Sequence, residues 1–238
     1  FYDIKCRTAG LQPALTVLVV TLQALKMHGG VAYQDIKEPN IEAVKQGFWN
    51  LDKHVENIKR FGQKIVVAFN RYNNDTEEEI EGVGFAVNNA FAEGGKGAEE
   101  LANTVVKTIE DTPSPKLQYL YKDDDSVKDK IEAVAKKIYG AGSVSFARKA
   151  ETQLKHIYDL GLSGLPVCVA KTQYSFSVDP KAYGKTDGFH LDVADIVINS
   201  GSGMIVAIAG NILRMPGLPA TPQANNIDIV DGKIVGLS

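Results

Sequence analysis

The fold is decided by the stretch Lys64-Ile-Val-Val-Ala-Phe-Asn-Arg-Tyr-Asn-Asn-Asp75. Its apolar run, Ile65 to Asn70, does not alternate, which is typical of a strand buried on both faces in a parallel sheet covered by helices. Ligands of open α/β sheets bind beyond the carboxyl ends of such strands, so Asn70 to Asp75 is a candidate ligand loop. Tyr72 would offer its ring to a planar ligand, although an ordinary connecting loop explains the same residues.

The overall composition excludes several classes of partner. The chain has 238 residues, 44% of them hydrophobic and 23% charged, and a net charge of −3. Without a basic block we expect no nucleic acid partner, and the longest early apolar run, 15–20, is far too short to span a membrane. Cys6 and Cys168 lie far apart and the four histidines are scattered, so no metal site is predicted. A cytoplasmic protein with reduced thiols is the expectation.

A second buried strand is predicted over 15–20, followed by a short helix from Leu22 to Met27. Lys26 and His28 lie at the end of this helix, and Gly29 follows. Cations in the last turn and a glycine just beyond it are the usual features of a helix end, and they explain both residues without a functional role.

A long helix is predicted to begin at Asn40 as its N-cap and to end near Phe61, because apolar residues recur at helical spacing between them. A break near Asn50 would divide it into two helices. Trp49 is interpreted as a packing residue. After the candidate ligand loop, the apolar residues Phe85 to Val87 predict a strand parallel to the first.

The best domain boundary is the linker Asp111-Thr-Pro-Ser-Pro115, which divides the chain into 1–111 and 112–238. Before it, a helix is expected over 98–109. Beyond it, the patterns predict helices over 126–139 and 147–160, strands over 165–170, 190–199 and 204–209, and a hairpin around Asp231-Gly232.

A glycine-rich loop precedes the helix at 98. Gly94, Gly95, Lys96 and Gly97 form a candidate anion-binding loop, because backbone N–H groups at such a place can hold an anion. The loop is not a GxxxxGK[ST] motif, and Gly184-Lys-Thr186 lacks the first glycine of that motif. The residues alone therefore predict an α/β protein with two candidate ligand loops, and they do not identify the reaction that it catalyses.

Several segments together resemble one enzyme family. The run Val20-Thr-Leu-Gln-Ala-Leu-Lys-Met-His-Gly-Gly30 is similar to the second signature of formate–tetrahydrofolate ligase, with Gln23 where an arginine is common. The resemblance extends over essentially the whole chain, through 36–40, 51–57, 90–102, 170–177 and 215–219.

The resemblance implies an ATP-dependent ligase. Formate is phosphorylated to formyl phosphate, and N10 of tetrahydrofolate attacks it to give 10-formyltetrahydrofolate, ADP and phosphate. The implied substrates are formate, tetrahydrofolate and ATP with Mg²⁺, and the resemblance is compatible with a monovalent cation as a further cofactor. The implied assembly is a cytoplasmic homotetramer. The implied fold is part of a P-loop-type, mostly parallel sheet with flanking helices, followed by a smaller α/β C-terminal domain.

The family's P-loop and formyl-phosphate arginine lie in its N-terminal half. Catalytic residues are therefore expected upstream of this chain, which begins Phe-Tyr-Asp-Ile without an initiator methionine. The resemblance assigns folate binding to Tyr72 and Asn73, where the family usually has a Phe-Pro pair, to Phe91 as the second aromatic, and to Val87 as an apolar wall. A flat pterin gains about 0.5–1.5 kcal/mol from each aromatic partner beyond the burial of its area.

Two other functions stay open. In the first, the chain is a non-catalytic fragment that binds folate or mediates oligomerisation. In the second, it is a P-loop-type nucleotide-binding protein that catalyses another reaction.

The connection between 77 and 84 is unusually short for a crossover between parallel strands, and family members are longer here. Only the first turn of a helix fits between the two strands. We therefore expect the sequence to be discontinuous between Glu77 and Gly84.

Overall fold

The computed structural model describes residues 1–81, 86–184, 186–210, 212, 220–230 and 233–236. Its α-helices are α1 (Arg7–Ala9), α2 (Leu22–His28), α3 (Ile41–Arg60), α4 (Glu77–Glu81), α5 (Ala90–Glu93), α6 (Glu99–Asp111), α7 (Val127–Val134) and α8 (Arg148–Asp159). Its strands are β1 (Thr16–Val20), β2 (Ile65–Asn70), β3 (Ala86–Asn88), β4 (Ser143–Phe146), β5 (Val167–Ala170), β6 (His190–Val193), β7 (Asp195–Asn199), β8 (Met204–Ile208), β9 (Asp228–Val230) and β10 (Lys233–Val235). Single π-helical turns occur at Tyr2–Cys6 and Ala135–Tyr139.

The first sheet has the order β1-β2-β3, and all its described strands are parallel. The strand predicted over 65–70 is confirmed as the central one, with Ala68 and Phe69 fully buried. The parallel strand predicted over 85–87 is confirmed as β3, while Phe85 itself lies outside the described residues. Among the described residues of the crossover between them, the one helix is the five-residue α4.

Helices α2 and α3 pack backbone against backbone on this sheet. A Cβ atom placed on Gly47 would lie 2.1 Å from the carbonyl oxygen of Leu25, and one on Gly29 would lie 2.0 Å from that of Ala43. Only glycine permits so close an approach. The predicted cap of α3 is confirmed, because the side chain of Asn40 accepts a hydrogen bond from the Ala43 amide at 2.9 Å.

Two expectations for α3 are wrong. The helix runs unbroken through Asn50, whose side chain is buried rather than turning the chain. Trp49 is 66% exposed and so does not pack into the core of this chain.

The remaining strands form small sheets. β5 and β8 are parallel and β7 is antiparallel to β8, while β4 and β6 form a separate parallel pair. The single strand expected over 190–199 is therefore two strands in different sheets. The chain changes sheet at Ala194, whose N–H donates to the Ile208 carbonyl at 2.9 Å. Strands β9 and β10 confirm the predicted hairpin, although 231–232 lie outside the described residues.

Buried side chains form two hydrophobic cores. One lies between the first sheet and helices α2 and α3, and it contains Val20, Leu22, Leu25, Val44, Leu51 and Phe69. The other is built mainly from residues 117–209, but it also takes in Cys6 and Phe61 from the earlier part of the chain. The domain boundary at 111–112 stays a prediction.

The architecture is thus α/β, with small, mostly parallel sheets and flanking helices. No helix among the described residues combines the length and the apolarity that crossing a membrane requires.

We predict that Gly47→Ala lowers the free energy of unfolding by about 1–3 kcal/mol, because the added methyl group meets a backbone carbonyl that cannot move aside. This cost exceeds the ~1 kcal/mol that alanine gains over glycine within a helix. Urea denaturation measures the change. Gly164→Ala is the matched control, since a Cβ atom there meets nothing within 4 Å; equal effects of the two variants would contradict the tight α2–α3 contact.

Candidate functional site

The carboxyl ends of β2 and β3 lie side by side. Asn70 and Asn88 are register partners, and the Asn88 side-chain amide donates to Oδ1 of Asn70 at 3.1 Å. The Arg71 amide also donates to the Asn88 carbonyl at 3.1 Å. The loops that carry Tyr72 and Phe91 therefore leave the same edge of the sheet next to each other.

Both aromatic rings at this edge present free surface. Tyr72 is 44% exposed, and Phe91, on the short helix α5, is 75% exposed. Asn73 is exposed as well, whereas Val87 is half-buried against the first core. These residues gather at one edge, which is the position that ligands of open parallel sheets occupy. A face-to-face arrangement of the two rings across one cleft stays a prediction.

The backbone around Tyr72 is held by Asp75. Oδ2 of Asp75 accepts a hydrogen bond from the Tyr72 amide at 2.8 Å, and the Asp75 amide donates to the Tyr72 carbonyl at 3.1 Å. Asp75 is only 6% exposed, and burial raises the pKa of its carboxyl group. A buried aspartate that closes the turn fixes the direction in which the Tyr72 side chain leaves the sheet.

A buried ion pair lies behind this turn. Nζ of Lys26 is 3.2 Å from Oε1 of Glu79, and both side chains have no exposed surface. Lys26 also donates to the Glu38 carbonyl at 3.0 Å, and the Asn40 amide donates to Glu79 at 2.9 Å. The pair thus joins the end of α2 and the start of α3 to the crossover helix α4.

Glu79 also caps its own helix. Its second carboxylate oxygen accepts a hydrogen bond from Oγ1 of Thr76 at 3.0 Å, and its amide donates to the same hydroxyl oxygen at 3.3 Å. Burial acts to raise the pKa of Glu79, but hydrogen bonds from the Asn40 amide, Thr76 and Lys26 outweigh it and leave this pKa lowered. Glu79 is therefore an ionised carboxylate inside the protein.

Sequence reasoning missed this pair. The predicted place of Lys26 in the last turn of α2 is confirmed, but the helix end alone does not explain this residue, because its ammonium group is buried against Glu79. The detectable signal was the spacing Thr76-x-x-Glu79, the sequence pattern of a capping box.

The predicted anion-binding loop is a single 3-10 turn, Gly94–Ala98, that leads into α6. Gly97 approaches the chain closely, because a Cβ atom there would lie 2.4 Å from the Asn89 carbonyl oxygen. Acidic residues flank the one lysine of this loop in sequence, with Glu93 before it and Glu99 and Glu100 in the first turn of α6. Anion binding here stays a prediction, and these charges count against it.

No group of three or more His, Cys, Asp or Glu side chains is placed to hold a metal ion within the described ranges. The segment 215–219 of the resemblance lies outside the described residues.

Comparison with known proteins points to one family over the whole chain. The family model for formate–tetrahydrofolate ligase matches residues 1–238. The chain is 60% identical over 247 residues to the formate–tetrahydrofolate ligases of Phocaeicola vulgatus and Porphyromonas gingivalis, and 58% identical over 247 residues to that of Bacteroides fragilis. Each match covers 100% of this chain and 44% of the relative, so the chain spans less than half the length of these relatives.

The matches extend over 247 residues, nine more than the 238 of this chain. We predict that the extra residues of the relatives fall between Glu77 and Gly84, a segment that lies partly outside the described residues. Resequencing the coding DNA and measuring the intact mass of the protein test this. Nine additional codons at this junction would show that the 238-residue sequence is discontinuous here, whereas an uninterrupted reading frame with a matching mass would show a true deletion.

We also predict that Lys26→Met lowers the free energy of unfolding by about 3–5 kcal/mol, because it leaves the Glu79 carboxylate buried without its cation. Urea denaturation at pH 7 measures the loss. The matched control is Lys45→Met, whose partner Glu42 is 78% exposed at its side chain; we expect about 0–1 kcal/mol there.

Adding Glu79→Gln to Lys26→Met should recover part of that stability, because the uncompensated charge is then gone. A double variant no more stable than Lys26→Met would contradict an ionised, buried pair.

Proposed function

The chain belongs to the formate–tetrahydrofolate ligase family, and from that premise we propose that it supplies the folate-binding part of an enzyme that ligates formate to tetrahydrofolate. The observation that carries this proposal is the pair of exposed aromatic residues, Tyr72 and Phe91, on neighbouring loops at the carboxyl edge of the first sheet. A flat heterocycle is the kind of ligand that such an edge accepts.

In the proposed reaction, ATP phosphorylates formate to formyl phosphate, and N10 of tetrahydrofolate attacks the formyl carbon with release of phosphate. The role of this chain is to bind and orient the folate. Tyr72 and Phe91 would cover the faces of the pterin, Val87 would form an apolar wall, and Asn73 would lie at the rim. Holding N10 in a fixed direction converts a bimolecular encounter into an oriented step.

The phosphate chemistry is assigned to another part of the enzyme. The 238 residues contain no GxxxxGK[ST] motif, and they correspond to 44% of the relatives' length. We propose that the ATP-binding loop and the arginine that contacts formyl phosphate belong to the portion of the relatives that this chain does not match. A cytoplasmic location and a homo-oligomeric assembly are further parts of the proposal.

One observation favours the alternative of an oligomerisation fragment. The hairpin β9–β10 exposes apolar side chains, with Ile229 70% and Ile234 58% accessible. Exposed apolar patches often mark surfaces that contact another chain. Phosphate release that depends on formate, and not on other small acids, would support the ligase over this alternative and over another reaction class.

We predict that Phe91→Ala in the full-length enzyme weakens tetrahydrofolate binding by about 1–3 kcal/mol, because stacking and burial of the pterin are lost. Titration calorimetry measures the dissociation constant. Tyr33→Ala is the control, since Tyr33 is 84% exposed and belongs to neither loop. An unchanged affinity in Phe91→Ala would remove Phe91 from the folate site.

We predict that the isolated 238-residue chain makes no 10-formyltetrahydrofolate, because it has no loop of the kind that holds ATP phosphates during transfer. The assay follows the product chromatographically with ATP, Mg²⁺, formate and tetrahydrofolate, and the full-length enzyme is the positive control. ATP-dependent turnover by the isolated chain, in a preparation shown to lack the longer enzyme, would contradict the assignment.

A further inference from the structure

Four polar side chains form a continuous series of hydrogen bonds across the parallel pair β4–β6. Ser143 is the register partner of His190, and Ser145 is that of Asp192. Every second residue of a strand lies on the same face, so these four side chains share one face of the pair. Leu191, between the two members on β6, is fully buried in the core of residues 117–209, which places the four on the outer face. We call them the serine–histidine network.

The distances within the serine–histidine network are those of direct hydrogen bonds. Oγ of Ser143 lies 2.8 Å from Nδ1 of His190, and Oγ of Ser145 lies 2.9 Å from Nε2 of the same ring. The Ser145 hydroxyl donates to Oδ1 of Asp192 at 2.6 Å. Each ring nitrogen of His190 is therefore engaged by one serine.

The number of available protons determines the direction of each bond. A serine hydroxyl has one proton to donate, and a carboxylate only accepts. Because Ser145 donates its proton to Asp192, its oxygen accepts from His190, which places a proton on Nε2. A neutral imidazole carries one proton, so Nδ1 is the acceptor and the Ser143 hydroxyl is its donor.

This order of groups is that of an activated nucleophile. A hydroxyl, a base within hydrogen-bond reach and a third group that orients the base are the usual parts of such an arrangement. Here Ser143 is the hydroxyl and Nδ1 of His190 is the base. Asp192 acts on the far side of the ring through Ser145, where it holds the proton on Nε2 and stabilises the imidazolium that forms when Nδ1 takes up a second proton.

Small molecules in solvent have access to the serine–histidine network. Three of its members are exposed, and Ser145 is half-buried. The residue before Ser143 is Gly142, where a Cβ atom would lie 2.9 Å from the carbonyl oxygen of Gly188. Both of these neighbours are glycines, so neither contributes a side chain that covers the Ser143 hydroxyl.

We propose that Ser143 is a nucleophile that accepts the acyl group of a neutral activated ester. Oγ of Ser143 forms a bond to the ester carbonyl carbon while its proton passes to Nδ1 of His190. The bond between that carbon and the leaving oxygen then breaks, and the leaving oxygen departs with the electron pair and takes up the proton from His190. The product is an acyl ester of Ser143 and a free alcohol or phenol.

The charge of the network selects the kind of acyl donor. The Asp192 carboxylate lies on the same face as Ser143 and repels an anionic donor such as an acyl phosphate. A neutral ester meets no such repulsion. The inference goes beyond the proposed function, because the network lies in a different sheet from the loops of Tyr72 and Phe91.

The test treats the full-length enzyme with p-nitrophenyl acetate at neutral pH and locates acetyl groups by peptide mass spectrometry. Ser202 is the internal reference, since it is exposed and its hydroxyl contacts the Asn199 carbonyl rather than a base. We expect Ser143 to be acetylated about ten- to a hundredfold faster than Ser202, the lower part of what a positioned base contributes. Acetyl phosphate at the same concentration should leave Ser143 unmodified.

Two variants test the partners of Ser143. His190→Gln keeps a polar side chain but removes the base, so acetylation of Ser143 should fall to the rate of Ser202. Asp192→Asn should slow acetylation about two- to tenfold and move the acid limb of its pH profile to lower pH, because the imidazolium loses its carboxylate. Asp159→Asn, at the exposed end of α8, is the matched control and should change neither quantity.

Acetylation of Ser143 no faster than that of Ser202 in the wild-type enzyme would overturn the inference, and this comparison requires no variant to fold. Acetylation of Ser143 in His190→Gln at the wild-type rate would overturn it as well. An unmoved pH profile in Asp192→Asn, with a circular dichroism spectrum like that of the wild type, would contradict the positioning role of Asp192.

Discussion

The buried ion pair between Lys26 and Glu79 is the interaction on which the proposed site depends. Removing two charges from water is costly, and an isolated pair of this kind is not a source of net stability. Here the remaining hydrogen-bonding groups are satisfied by the Glu38 carbonyl, the Asn40 amide and Thr76. The pair therefore contributes position: it holds the crossover helix α4, and with it the turn at Tyr72, against the ends of α2 and α3.

The position of the pair follows from glycine at two places in the sequence. Gly29 and Gly47 let α2 and α3 approach until backbone meets backbone. Larger side chains would push α2 away and draw Lys26 from Glu79. A packing constraint thus determines the electrostatics, and the electrostatics determine the geometry of the Tyr72 loop.

The sequence predicted those features that depend on local pattern. The apolar run 65–70 identified the central strand because a short continuous apolar run is typical of a strand covered on both faces of its sheet. The cap Asn40 follows from short-range chemistry. Lys26 was misread because a lysine at a helix end looks the same whether it meets water or a carboxylate 53 residues away in sequence. The exposed Trp49 and the sheet change at Ala194 were missed for the same reason, since each depends on long-range contacts or on surface that a local pattern does not contain.

In the proposed function, the pterin of tetrahydrofolate lies at one edge of the first sheet, against Tyr72 and Phe91. The most direct test of this assignment is a crystal structure of the full-length enzyme with tetrahydrofolate bound. The account predicts that the pterin ring lies between the side chains of Tyr72 and Phe91, beyond the carboxyl ends of β2 and β3. A pterin bound elsewhere, with these two rings facing away from each other, would contradict it.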